Sequence, residues 1–386
     1  MIIPTAHRLQ QIREYYFSVK LKEIRQMRDQ GFDIINMGIG SPDLPPADAT
    51  IEALHSSAQQ PQHHGYQSYQ GIPELRRAIG AFYQQTYGVE LSSDKEVLPL
   101  MGSKEGITHT SLTFLNQGDE VLVPELGYPA YTAVSRMLEA SVRTYPLQTT
   151  DWQPDLEVMR QQDYSRVKLM WVNYPHMPTG APADPHVLLG LIKLAREREF
   201  LICFDNPYSL VLNRSRPFSI LTLPGAKAVC LEFNSLSKSH NMAGWRVGWI
   251  AGAQEYLQEI IKIKSNVDSG MFRGIQDAAV RALQASPEWH QTRNQEYTRR
   301  RDIVFSLMDQ LGCAYSKEQE GLFVWAKLPN TELSAENFVD SILHKCHVFL
   351  TPGFIFGAKG KRYIRASLCN SRSTLEDALS RISHAQ

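Results

Sequence analysis

Lys238 lies in the stretch FNSLSKSHNMAGWRVGWIAG (233–252), among serines at the end of an apolar run and just ahead of Arg246. A lysine held beyond a buried strand end, in a partly desolvated pocket, has a lowered pKa and can condense with an aldehyde to form a Schiff base. The competing reading is a solvated surface cation, so the residues around it decide.

The obvious aldehyde is pyridoxal phosphate, and it makes four physical demands. It needs a carboxylate at the pyridine nitrogen, a donor at the phenolic oxygen, an aromatic ring on its face and a cradle for its phosphate. Asp205 follows the apolar run FLICF, where an isolated carboxylate is costly unless a cation meets it; the alternative is a turn residue in DNPY. Tyr208, three residues on, can reach the phenolic oxygen, and Tyr128 in PELGYPAY can stack on the ring. MGSKEGI (101–107) is a glycine loop opening a helix, whose free N–H groups and dipole suit a dianion, with Ser103 as a further donor. Arg246 adds a forked guanidinium, and Ser235 and Ser237 add hydroxyls beside Lys238.

The elements that must bring these residues together are strands and helices in alternation. Short apolar runs at 120–125, 167–175, 200–208, 228–235 and 246–252 end in turn-formers or polar residues, as strands buried on both faces do. PHVLLGLIKLAREREF (185–200) sets Leu188, Leu191, Ile192 and Ala195 on one stripe and predicts a crossover helix. The expected fold class is α/β, a mostly parallel sheet with helices on both faces, plus a smaller α+β unit. Ligands of such sheets bind beyond the carboxyl ends of the strands, and the rim expected there carries Tyr128, Asn173, Asp205, Tyr208, Ser235, Ser237 and Lys238. After a long helical region at 259–286, a charged helix at 292–311 and strands at 321–329 and 362–368 suggest the smaller unit. The expected division is 46–275 for the large cofactor-binding domain and 1–45 with 276–386 for the small one.

Composition narrows the alternatives. Forty basic residues balance forty acidic ones, so no global field recruits nucleic acid or an anionic membrane, and any anion must be held locally. Five scattered cysteines without CxxC spacing fit reduced thiols in the cytoplasm, and no metal site is expected. No run of about 18 apolar residues and no secretory leader pattern is visible, so neither membrane spanning nor secretion is expected.

The motifs together resemble the fold-type I, pyridoxal-phosphate-dependent aminotransferases of class I/II, nearly end to end. SLSKSHNMAGWRVG is similar to the Schiff-base motif, NYPHMPTG to the Asn-Pro-Thr-Gly loop and MGIGSPDLPP to the amino-terminal substrate loop; YQSYQGIPELRRAI and YIRASL fall where that family has them. The resemblance implies that Lys238 is the Schiff-base lysine and proton carrier, Asp205 the pyridinium partner, Tyr208 the phenolic-oxygen donor and Tyr128 the stacking ring. It implies a phosphate held by Ser103, the Lys104 backbone, Ser235, Ser237 and Arg246. It also implies an α-carboxylate gripped by Arg365 near Gly40, and Tyr66 reaching the site of a second subunit in a homodimer. Asn173 also matches a family asparagine.

One departure stands out. The residue before Pro-Thr-Gly is Met177 where the family usually has asparagine, and a thioether cannot donate a hydrogen bond. Asn173, His176 or Tyr208 alone are the candidates to compensate. The expected reaction is ping-pong transfer of an amino group from an amino acid to a 2-oxo acid, the alternative being a carbon–sulfur β-lyase on the same scaffold. Within the family the chain is most similar to the branch of LL-diaminopimelate, aspartate and alanine aminotransferases. Tyr15, Tyr16 and Arg273 are its candidate substrate-side residues.

Overall fold

In a computed structural model, which describes residues 2–11, 14, 16–330 and 333–385, seven strands form one sheet in the order Val97–Leu100, Gly248–Gly252, Cys230–Ser235, Leu201–Asp205, Val167–Asn173, Glu120–Pro124, Ser141–Tyr145. The strands at 120–124, 167–173, 201–205, 230–235 and 248–252 coincide with the apolar runs. Two were missed: Val97–Leu100, a four-residue VLPL with proline inside it, and Ser141–Tyr145 at the sheet edge, whose alternating polar residues carry little apolar signal.

Gly248–Gly252 is antiparallel to both its neighbours, with Ser235 opposite Gly248, and the other pairings are parallel. This reversal has a chemical consequence. The start of that strand arrives at the same rim where Asn173, Asp205 and Ser235 end theirs, so Arg246 is delivered beside Lys238 although it precedes its strand.

The crossover helix Pro185–Arg198 begins at Asp184, whose carboxylate accepts from His186 N at 2.8 Å, with proline at its first position. The expected helical region at 259–286 is two helices, Gln254–Val267 and Arg273–Ala282, interrupted by the DSG turn in which Asp268 accepts from Gly270 N. The charged helix runs Pro287–Gln310.

A second sheet takes the order Thr351–Pro352, Tyr363–Ser367, Phe323–Lys327, Ala314–Tyr315, all antiparallel. Ile35–Asn36 pairs in parallel with Val348–Phe349, so the amino-terminal segment joins the carboxy-terminal third. Among the described residues, no helix is long and apolar enough to cross a membrane.

Candidate active site

A cleft of about 830 Å³ opens along the carboxyl rim of the large sheet. Of the residues singled out above, Gly40, Ser103, Lys104, Tyr128, Asn173, Asp205, Tyr208, Ser235, Ser237, Lys238, Arg246 and Arg365 line it. Tyr16, Tyr66 and Arg273 do not line it within one chain, and Tyr15 lies outside the described residues.

Asp205 ends its strand fully enclosed. Oδ2 accepts a 2.6 Å hydrogen bond from the Tyr131 hydroxyl, while Oδ1 is buried with no hydrogen-bond partner. Burial pushes the carboxyl up to about 6, with the Tyr131 bond opposing the rise. Tyr131 is itself fixed by stacking on Trp171, with centroids 4.9 Å apart and planes 5° apart. The sequence reading missed Tyr131; the signal was the second tyrosine of GYPAY, three residues from Tyr128 in the first turn of helix Pro129–Met137.

Lys238 sits in the short helix Leu236–Ser239, capped by Ser235 Oγ, and its ammonium donates to the Gly40 carbonyl. Burial draws its pKa down; Arg365 and Arg246 push the same way, against the opposing effect of Cys369. An amine so placed reaches the neutral, nucleophilic form more easily than a surface lysine.

The anion cradle is built by close approach. Gly102, at φ 87°, precedes helix Ser103–Phe114, and a Cβ there would lie 2.0 Å from Arg246 Nη2. A Cβ on Gly248 would lie 2.5 Å from Ser103 N. Glycine at both positions lets the helix start, Arg246, Ser235 and Ser237 face one point; Arg246 Nη1 reaches Ser237 Oγ at 3.4 Å.

Arg365, from the strand Tyr363–Ser367, is 5% exposed and donates to the Gly38 carbonyl at 2.8 Å. Its guanidinium carbon lies 3.8 Å from the Phe323 ring centre, 4.6 Å from Phe356 and 5.8 Å from Phe17, aromatic faces that attract a cation and hold it in place. Met177 touches the same group, its Sδ 3.3 Å from Arg365 Nη1.

His176 and Asn173, two of the offered compensations for Met177, both have partners within the chain. His176 faces away from the cleft, bonded to Thr179 Oγ1 at 2.8 Å and the Leu126 carbonyl at 3.0 Å, and burial lowers its pKa to about 4. Asn173 uses Nδ2 on the Asp205 carbonyl at 2.7 Å and Oδ1 on Met177 N at 2.8 Å, so it braces the loop. Tyr208 is buried and lines the cleft on that side.

The substrate-side candidates are placed elsewhere. Tyr16 borders a neighbouring cavity of about 400 Å³ that shares Tyr128, Tyr131 and Phe356 with the main cleft. Arg273 is held by Asp277 at 3.0 and 3.1 Å and lies 3.9 Å from Glu74, away from the cleft. Tyr66 is 93% exposed. The cleft's outer wall is instead the helix Tyr16–Asp29, which contributes Phe17, Ser18, Leu21, Lys22 and Arg25.

A lysine of lowered pKa, a buried carboxylate with one open oxygen, and an anion cradle at a helix start form one constellation. Residues 33–382 match the family described as Aminotransferase class I and II. The chain belongs to the class I and II aminotransferases.

This aminotransferase is 39% identical over 381 residues, 98% of each chain, to a protein named LL-diaminopimelate aminotransferase from Maridesulfovibrio salexigens. Among solved structures it is similar to substrate-bound BacF from Bacillus subtilis (TM-score 0.93, 34% identity, 99% of this chain and 98% of that one). It is also similar to a probable N-succinyldiaminopimelate aminotransferase from Thermus thermophilus (TM-score 0.88, 31% identity, 96% and 100%). The aminotransferase uses pyridoxal 5'-phosphate, as its family does, and the open Oδ1 of Asp205 and the cradle at Gly102 fit that cofactor's pyridinium and phosphate.

Proposed function

We propose that the aminotransferase transfers the amino group of LL-diaminopimelate to a 2-oxo acid in a ping-pong cycle, with aspartate and alanine as the alternative donors of the same branch. The observation that carries the reading is the reach of the cleft. It extends from Asp205 past Arg365 to Arg25 and to Lys22, whose ammonium pairs with Glu14 at 2.7 Å, on the helix Tyr16–Asp29, giving space for a long amino acid and the Arg25 guanidinium for a distal carboxylate. The names of its curated relatives point the same way.

Pyridoxal phosphate, when bound, supplies the electron sink that lets the Cα–H bond of an amino acid ionise. Asp205 Oδ1 would keep the pyridine nitrogen protonated, and Tyr208 would donate to the phenolic oxygen. Tyr128 would pack on the ring, and Ser103, the Lys104 backbone, Ser235, Ser237 and Arg246 would hold the phosphate. Arg365 takes the substrate α-carboxylate with its fork, beside Gly40. Lys238 Nζ would accept the substrate's Cα proton and hold it for return, and a lowered pKa suits it to both roles.

The exposure of Tyr66 supports its reaching the phosphate of a second copy, so the working unit in this reading is a homodimer with shared sites. Residues 46–275 then form the large domain, and 1–45 with 276–386 the small one. Incubating the loaded enzyme with LL-diaminopimelate, aspartate or alanine plus 2-oxoglutarate tests the reading through glutamate formation. Pyruvate and ammonia from cystathionine, without amino transfer, would mark a β-lyase instead.

A further inference from the structure

Arg300, on the helix Pro287–Gln310, is 2% exposed and lies outside the cleft. Its Nη1 donates to Asp43 Oδ1 at 2.6 Å and its Nη2 to Asp43 Oδ2 at 3.1 Å, a two-pronged pair that fixes angle as well as distance. The same Nη1 reaches the Leu368 carbonyl at 3.2 Å, just beyond the strand that carries Arg365, and Nε donates to Glu296 at 3.0 Å on its own helix.

Asp43 belongs to the segment 38–45, which touches both chemical ends of the cleft. The Gly38 carbonyl accepts from Arg365 and from Thr351 Oγ1, and the Gly40 carbonyl accepts from Lys238. The segment is held at Pro45 by Asn241 Nδ2, at 3.0 Å, and pressed at Gly38 and Gly40 against Phe349 and Phe323, which a Cβ would meet at 2.4 and 2.2 Å. Between these fixed ends, the side-chain anchor of the loop is Asp43.

We propose that the Arg300–Asp43 pair is a positioning element that, by fixing the 38–45 segment between Arg365 and Lys238, sets how strongly the enzyme distinguishes an α-amino acid from the corresponding amine. This rests on the reading of Arg365 as the α-carboxylate group. A fork turned out of line by a shifted Gly38 carbonyl loses the second of its two bonds to the carboxylate, whereas an amine without that carboxylate does not sense the change. Glu296 shares the guanidinium but has no bond to the segment, which makes it the internal control.

The test is a stopped-flow titration of the cofactor absorbance of the loaded enzyme with L-glutamate and with 4-aminobutanoate, the same skeleton without the α-carboxylate. In Asp43→Asn and in Arg300→Lys, which keeps the charge and loses the fork, the apparent dissociation constant for glutamate should rise about 10- to 100-fold. The limiting rate should change by less than about threefold. The value for 4-aminobutanoate should stay, and Glu296→Gln should change neither. If both ligands weaken together, if neither changes, or if Glu296→Gln behaves like Asp43→Asn, the pair is structural only and the proposal falls. Should Asp43→Asn not fold, Arg300→Lys reads the same ratio. Arg365→Lys separates the two levels. If it keeps the discrimination, the α-carboxylate reading itself fails; if it loses it while Asp43→Asn does not, only the clamp fails.

Discussion

Tyr131 donates to Asp205 Oδ2 at 2.6 Å and thereby leaves Oδ1 as the single open oxygen of a buried carboxylate. The bond selects which oxygen stays unpaired and opposes the rise in pKa that burial imposes. Tyr131→Phe keeps the stack on Trp171 and removes the bond. Loss of a hydrogen bond to a charged group should lower kcat/KM about 10- to 100-fold. Cofactor affinity should weaken with it, in equilibrium dialysis, and an unchanged affinity and rate would exclude this role.

The same carboxyl sets a pH dependence. Its ordinary value is 3.8 and burial raises it to about 6, so the folded chain binds a proton there more tightly than the unfolded chain does. Stability from this group is fully present below about pH 4 and is lost as pH rises through 6. A pyridinium opposite Oδ1 restores it, so the increase in Tm on adding pyridoxal phosphate should grow between pH 5 and 7. Asp205→Asn should flatten that growth, because cofactor titration is common to both proteins; parallel curves would contradict it.

Met177 offers the phenolic oxygen no donor and places only a soft sulfur on Arg365. Met177→Asn should stabilise the phenolate and so weaken its internal hydrogen bond to the Lys238 nitrogen. The pH midpoint of the visible absorbance change of the loaded enzyme should fall. A spectrophotometric titration with no shift or a rise would sink the idea.

The proposed homodimer, in which two copies share their sites, makes a distinct forecast. Lys238→Ala and Tyr66→Ala proteins, each impaired alone, should recover activity when unfolded and refolded as a mixture, because a mixed dimer contains one site with both residues native. Absence of recovery in dimers shown to be mixed would place Tyr66 outside the active site.

The candidate residues were legible where residue types stand at strand ends: a lysine, a carboxylate and a phenol each follow an apolar run that length and composition mark as buried, while the helix start at Ser103 showed only by its glycine loop. Relations across the chain were not. Tyr131 reads as one more aromatic until the pairing of the 167–173 and 201–205 strands sets Trp171 and Asp205 beside it. The aromatic faces around Arg365 come from three separate segments, Phe17, Phe323 and Phe356, and no local spacing joins them. Asn173 was expected at the rim and is there, but its two hydrogen bonds make it a brace, a distinction only partners reveal. Lys22 and Arg25 drew no reading from the sequence, since charges on a helix face carry no sign of what that face borders; in the fold they line the cleft.

The central claim is that Lys238 carries the cofactor. Borohydride reduction of the loaded enzyme followed by peptide mapping tests it directly. The account requires one pyridoxyl group per chain on Lys238, with none in Lys238→Ala and no turnover by that variant. A label on Lys22, Lys104 or any other lysine in the native protein, or transamination by Lys238→Ala at the native rate, would contradict it.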